Sequence, residues 1–255
     1  SGSNGLHDLA TPALWIDADA LDHNLRAMSA ALPGSRLRPH VKAHKSSRLA
    51  RRQAAAGHAG FTCATAREVI GLARAGLGED LLLANELLDP ERLRALARLD
   101  ARVTVAIDSR ETIEAAADAG IAEVLIDVNV GLPRCGCPPE HAGMLGDRAR
   151  RSGMQVRGVM GYEGHIVGIP DREQREQGCR DSMDLLATAH QAVGGDVISA
   201  GGTGTFDCNG LATEIQAGSY ALMDTAYGKC GMPFRQALFI ESTIISVSSD
   251  YAVAD

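Results

Sequence analysis

The sequence predicts an α/β fold, a (β/α)8 barrel that is preceded by one strand and one helix and followed by the start of a β region. Three observations predict it. Short, nearly continuous apolar runs alternate with amphipathic stretches, as in parallel strands buried on both faces. Eight such units over about 220 residues favour a closed barrel over an open doubly wound sheet. No Gly-x-Gly-x-x-Gly follows the first strand, which argues against a dinucleotide fold.

The elements follow in order. Residues 1–10, opening on Ser1-Gly2-Ser3-Asn4-Gly5, read as a flexible lead. Thr11–Asp17 is a strand, and Asp17 or Asp19 caps a helix over Ala20–Leu32 with Leu21, Leu25 and Met28 on one stripe. After the Pro33-Gly34 turn, Arg36–Val41 alternates as the first barrel strand. Helices are expected near 46–56, 66–75, 90–97, 110–119, 139–152 and 171–192. Between and after them fall strands near 59–63, 81–84, 103–107, 123–128, 155–160, 196–199 and 214–217. A short helix over Tyr220–Tyr227 follows the last of these. Phe239–Val247 is rich in β-branched residues and reads as one strand of an antiparallel region. Such a strand needs a partner, either Thr11–Ile16 or further sequence. The expected organisation is a lead over 1–10, a barrel over 11–237 and the beginning of a β domain over 238–255.

Composition narrows the function. Apolar residues make up 45% and charged residues 22% of the chain, as in ordinary globular proteins. A net charge of −7 and a pI near 5.6 argue against a nucleic-acid or anionic-membrane surface. No apolar run approaches the roughly 20 residues of a membrane span, and no leader pattern precedes the fold. Cys135-Gly136-Cys137 lacks the usual Cys-x₂₋₄-Cys zinc spacing, so the six cysteines are read as reduced thiols of a cytoplasmic protein.

The chemistry concentrates at strand ends. His40, Lys42, His44, Lys45 and Arg48 crowd nine positions. If the strand reaches Lys42, then His40 and Lys42 share a face. A lysine there, desolvated and beside other cations, has a lowered pKa and a nucleophilic amine of the Schiff-base kind. The alternative is a basic strand end in water. Function in such barrels gathers at the carboxyl ends of the strands. There the sequence supplies Asn85, Glu86, Asp108, Asn129, Arg134, Tyr162, Glu163 and His165. It also supplies Gly201-Gly202-Thr203-Gly204-Thr205 and Gly218-Ser219, small residues whose N–H groups can converge on a phosphate after strands seven and eight. Neither loop carries a Walker lysine, so a nucleoside triphosphate is not expected. Together with Lys42 they suggest a phosphorylated cofactor bonded to lysine. Tyr162 can stack on a flat ligand, and Gln216 can bond a ring nitrogen without forcing it to stay protonated. Arg134 can grip a carboxylate or phenolate.

Five stretches carry a resemblance: Thr11–Asp17, Arg38–Lys45, Val159–His165, Ser199–Thr205 and Gln216–Tyr220. Together they resemble the D-threonine aldolase and D-serine dehydratase group, fold-type III pyridoxal-phosphate enzymes related to alanine racemase. The resemblance implies a barrel of the alanine racemase type and Lys42 as the cofactor-bonding lysine. It implies Thr203, Gly204, Thr205, Gly218 and Ser219 around the phosphate, Tyr162 and Gln216 near the ring, and Arg134 on the phenolate side. Lys42, His40 and Tyr162 are the expected catalytic residues. The resemblance also implies a homodimer, a D-amino acid substrate and a C-terminal β domain, truncated here, where a histidine and an aspartate or cysteine bind manganese, magnesium or zinc. No such pair occurs before Asp255, so no metal ligand is expected in this chain. The expected activity is cleavage of β-hydroxy-D-amino acids to glycine and an aldehyde, favoured by Gly-Gly-Thr-Gly-Thr and Gly-Tyr-Glu-Gly-His. The alternatives are a dehydratase of D-serine or 3-hydroxy-D-aspartate type and a non-catalytic pyridoxal-phosphate carrier.

Overall fold

Seven consecutive parallel strands build the wall that positions everything else in the computed structural model, which describes residues 9–255. The lead expected over 1–10 lies outside the described residues in its first eight positions. The chain runs β1 (Ala13–Ile16), α1 (Ala18–Ala31), α2 (Ser47–Ala55), β2 (Gly60–Cys63), α3 (Ala66–Arg74), β3 (Asp80–Leu83), α4 (Pro90–Ala97) and β4 (Val103–Ile107). It continues α5 (Arg110–Ala119), β5 (Glu123–Asp127), α6 (Ala142–Arg151), β6 (Gln155–Met160), α7 (Arg172–Val193), β7 (Val197–Ala200) and β8 (Glu214–Ile215). β9 (Leu238–Glu241), β10 (Ile244–Val247) and β11 (Ala252–Ala254) complete it. Among the described residues no helix is long and apolar enough to cross a membrane.

Local chemistry sets the helix starts. Asp17, not Asp19, caps α1 by accepting from the Ala20 N–H at 2.9 Å. Ser46, Thr65, Asp89, Ser109 and Asp171 cap α2, α3, α4, α5 and α7 in the same way.

The strands from β2 to β8 pair in chain order, the topology of a curling parallel sheet. The eighth position differs from expectation. Arg36–Val41 is not a regular strand, because Pro39 has no N–H to give to a ladder. Leu37–His40 still closes the wall through single bridges. Leu37 pairs with Ile215 of β8, and His40 pairs with Thr62 of β2. Lys42 lies past the bridge, in a single 3₁₀ turn over Val41–Ala43. α1 packs over the gap beside β8, where the buried Asn24 donates to the Ala221 and Arg235 carbonyls.

Alternation along the strands sorts the barrel interior into levels. At the floor, Arg38 meets Asp80 at 2.8 Å and Glu214 at 2.8 Å, the second an ion pair too bent to be a hydrogen bond. Arg157 also grips Asp80, at 2.9 Å, and donates to Thr104 at 2.7 Å. Above this lies a small apolar layer of Leu82, Ala106, Leu125 and Met160. The larger core, including Phe61, Leu81, Val105 and Ile126, fills the space between wall and helices.

Three further expectations are corrected. Residues 139–152 divide into a 3₁₀ turn, Pro139–His141, and α6. Tyr220–Tyr227 is not one helix. Single turns over Ser219–Ala221 and Tyr227–Cys230 flank Met223, whose φ of +54° breaks a helix. Phe239–Val247 is interrupted at Ser242-Thr243. β9 pairs antiparallel with β1, with Trp15 stacked on its partner Phe239 at 4.3 Å, while β10 pairs with β11.

Candidate active site

The carboxyl ends of the strands enclose a cavity of about 390 Å³. Eight of the ten residues assigned to cofactor or catalysis, His40, Lys42, Arg134, Tyr162, Thr203, Gln216, Gly218 and Ser219, line it, as do the strand-end candidates Asn85, Gly201 and Gly202. Two others do not. Gly204 and Thr205 lie behind the cavity surface, both buried.

Lys42 lines the cavity and is exposed to it. Its Nζ lies 5.2 Å from the centroid of the Tyr162 ring, and the Arg134 guanidinium carbon lies 5.6 Å from the same ring. Burial, then the charge of Arg134, lowers the Lys42 pKa, with Glu68 opposing. The second cation is therefore Arg134, not the neighbouring Lys45. Lys45 turns into a separate groove, and His44 bonds Gln53 at 3.2 Å. His40 is 6% exposed, and burial plus the charge of Lys42 pushes its pKa down to about 3. Its neutral Nδ1 accepts the Lys42 backbone N–H at 3.4 Å. Burial raises the Tyr162 phenol, as does Glu163, with Arg134 opposing.

Gln216 projects inward just past β8 and donates to the Ser199 hydroxyl at 2.9 Å. Its amide oxygen makes no hydrogen bond among the described residues and can accept one from a protonated ring nitrogen, while its second amide hydrogen can be donated to an unprotonated one.

The glycine loop after β7 is shaped by close approach. A Cβ on Gly204 would lie 1.8 Å from the Val167 carbonyl oxygen, so only glycine fits there. Thr205 turns inward, its hydroxyl donating to Glu163 at 2.8 Å. Thr203 faces the cavity, and its hydroxyl accepts the Tyr220 N–H at 2.9 Å. The backbone N–H groups of Thr203, Gly218 and Ser219, all on the cavity wall, find no acceptor among the described residues. Such unsatisfied donors on small residues suit a phosphate monoester.

Some site residues were not foreseen. Ala64, Ala84, Met160 and Tyr227 line the cavity. Tyr227 carries no sequence signal, since its approach depends on the two 3₁₀ turns. Glu163, a polar loop residue by sequence, is fully buried behind the glycine loop. His165 is exposed and packs against Gly131 instead of the cavity.

Glu86, Asp127 and Cys135 bring ligand-type atoms within 4.8 Å of one another, a grouping hidden in the sequence because the segment after β3 and the end and following loop of β5 supply it. Burial, then the Glu86 carboxyl, pushes Asp127 well above the usual carboxylate range. Protonated, Asp127 can donate to Glu86, whose Oε1 otherwise has no partner. Burial also pushes the Cys135 thiol up to about 12. With Asp127 and Cys135 both holding their protons, the group suits a hydrogen-bonded acid pair better than a cation.

Comparison with known proteins gives the family and the fold. Residues 16–225 match the family model for the alanine racemase N-terminal domain. The chain is 34% identical over 259 residues to a D-threonine aldolase of Arthrobacter sp, covering 92% of this chain and 68% of that protein. It is 32% identical over 245 residues to a 3-hydroxy-D-aspartate aldolase of Paracoccus denitrificans (strain Pd 1222), covering 87% of this chain and 62% of that protein. The chain thus spans roughly two thirds of the length of these relatives. Among solved structures, D-threonine aldolase from Filomicrobium marinum superposes with a TM-score of 0.89 at 32% identity, over 98% of this chain and 73% of that one. D-threo-3-hydroxyaspartate dehydratase from Delftia sp. HT23 gives 0.86 at 28% identity, over 96% and 70%.

Proposed function

The chain belongs to the alanine racemase N-terminal domain family, and from that premise we propose that it forms the barrel of a pyridoxal-phosphate-dependent aldolase. Its substrates are β-hydroxy-D-amino acids of the D-threonine type, cleaved to glycine and an aldehyde. The observation that carries this reading is the pairing, across one cavity, of a lysine with a lowered pKa and a row of unsatisfied backbone N–H groups.

When bound, pyridoxal phosphate bonds amines as a Schiff base and takes up electrons released at Cα. The residues of this chain supply the rest. Lys42 presents an amine that loses its proton below the ordinary lysine range. Arg134 keeps it so and faces the same end of the Tyr162 ring. Tyr162 forms an aromatic wall against which a flat ring can lie. His40, neutral, fixes the Lys42 backbone through its Nδ1. Gln216 meets the ring nitrogen as a neutral partner. Thr203, Gly218 and Ser219 hold the phosphate, with Gly204 and Thr205 shaping the loop from behind.

The domain assignment follows the same reading: residues 11–237 form the cofactor barrel and 238–255 begin a β domain. The divalent metal is assigned to that further domain, the active form to a homodimer, and the location to the cytoplasm. The six thiols are all free, which supports a reducing compartment.

Borohydride reduction of the cofactor-loaded protein followed by peptide mapping tests the core of this. The sequence has three lysines, Lys42, Lys45 and Lys229, and the pyridoxyl label is expected on Lys42. A label elsewhere, or none, overturns the reading. D-threonine with manganese then separates the activities. Acetaldehyde and glycine support the aldolase. The Delftia relative favours a dehydratase as the second reading, marked by 2-oxobutanoate and ammonia. Labelling of Lys42 with no turnover supports a carrier.

A further inference from the structure

We propose that Glu163 is a positioning residue that divides the donors of the Gly201–Thr205 loop, tying down those of Gly201 and Gly202 so that the N–H of Thr203 stays aimed at a phosphate monoester. The inference rests on the cofactor reading above. Glu163 is 0% exposed and does not line the cavity. Two of its donors, the Thr205 hydroxyl and the Asn209 amide, lie behind that cavity, and the third is the N–H of Gly201 on its wall. Its Oε2 accepts the Gly201 N–H at 3.2 Å, and its Oε1 accepts the Thr205 hydroxyl at 2.8 Å and the Asn209 amide at 3.3 Å. Cys179 Sγ approaches Oε1 at 4.0 Å. Thr205 Oγ1 in turn accepts the Gly202 N–H at 3.2 Å. The carboxylate and its threonine thus consume the N–H groups of Gly201 and Gly202. Those of Thr203 and Gly204, next in the loop, find no acceptor among the described residues.

This arrangement is over-determined for mere packing. Gly201 sits at φ +82°, a turn that glycine adopts at little cost but that a lost hydrogen bond would loosen. A buried acceptor with three hydrogen-bonded donors fixes that turn, and with it the direction of the Thr203 N–H.

Glu163→Gln tests it with little change of shape. Its amide nitrogen must face at least one donor, leaving a buried N–H or O–H unsatisfied. Wild type and variant are titrated with pyridoxal phosphate, with pyridoxal, which lacks the phosphate, and with inorganic phosphate as competitor. The expected result is a loss of pyridoxal phosphate affinity of about tenfold or more, pyridoxal binding within about twofold of wild type, and weakened competition by phosphate. Equal losses for both aldehydes, or no loss for either, overturn the inference and leave the cofactor reading standing. Wild type that takes up neither aldehyde overturns both. If Glu163→Gln fails to fold, Thr205→Val reads the same phosphate-selective loss and Thr205→Ser restores affinity. Failure of that pattern also overturns the inference.

Discussion

Lys42 points its ammonium at the Tyr162 ring from 5.2 Å, sharing that ring with the Arg134 guanidinium. Two cations against one aromatic surface repel each other, and this repulsion adds to burial in lowering the Lys42 pKa. Arg134→Met is therefore expected to move the Lys42 pKa back toward the ordinary lysine value. The initial rate of Lys42 reaction with pyridoxal, followed against pH, should keep its shape but shift its midpoint upward. An unmoved midpoint would show that burial alone sets the amine.

His40 gives a second pH test with the opposite outcome. An unfolded histidine takes up its proton near pH 6.5, whereas in the fold this happens only near 3. The unfolded state thus binds more protons between those values, and stability falls as pH drops from about 6.5 toward about 3. Urea midpoints measured across this window should slope less steeply in His40→Asn than in wild type. NMR of the imidazole should show no titration between about pH 4 and 8.

Asp80 acts in a lower and separate window. Burial would raise its pKa, but hydrogen bonds from Arg157 and Arg38 overcome that and hold it at about 2. Its stabilisation is complete above the ordinary carboxylate pKa and lost as pH falls through about 2, a contribution of about 2 kcal/mol. Asp80→Asn is expected to lower stability at neutral pH by more than that, because Arg38, at 4% exposure, keeps its charge with one partner fewer. Its unfolding free energy should vary less between pH 4 and 2 than that of wild type.

Gly204→Ala places a methyl where the Val167 carbonyl oxygen now lies. The loop has to move, at an expected cost of roughly 2 kcal/mol or more in stability. Pyridoxal phosphate binding should weaken along with the melting temperature. An alanine variant that melts and binds like wild type would show that the loop has room to spare.

The order and kind of the elements could be read from the sequence wherever two periodicities agreed. Helices such as Arg110–Ala119 carry both an apolar stripe and a capping residue, and strands such as Val103–Ile107 are apolar runs broken only by Thr104. What escaped depends on contacts between distant segments. Pro39 reduces the expected first strand to bridges that β2 and β8 complete. Thr205 has the residue type of a phosphate ligand, but Glu163, 42 positions away, turns it inward. Tyr227 reaches the cavity through a left-handed kink at Met223 that no local preference announces. Residue chemistry locates the strand ends that matter. Which side chain faces forward is decided by the neighbours it meets after folding.

The ion pairs of Arg38 and Arg157 seal one end of the barrel, and the apolar layer above them leaves no polar path through its middle. Among the described residues the chamber is therefore closed on that side. On the proposed reading, amino acid and aldehyde enter and leave at the opposite end, beside Lys42 and Tyr162. Any partner segment that narrows this doorway would regulate entry and departure alike.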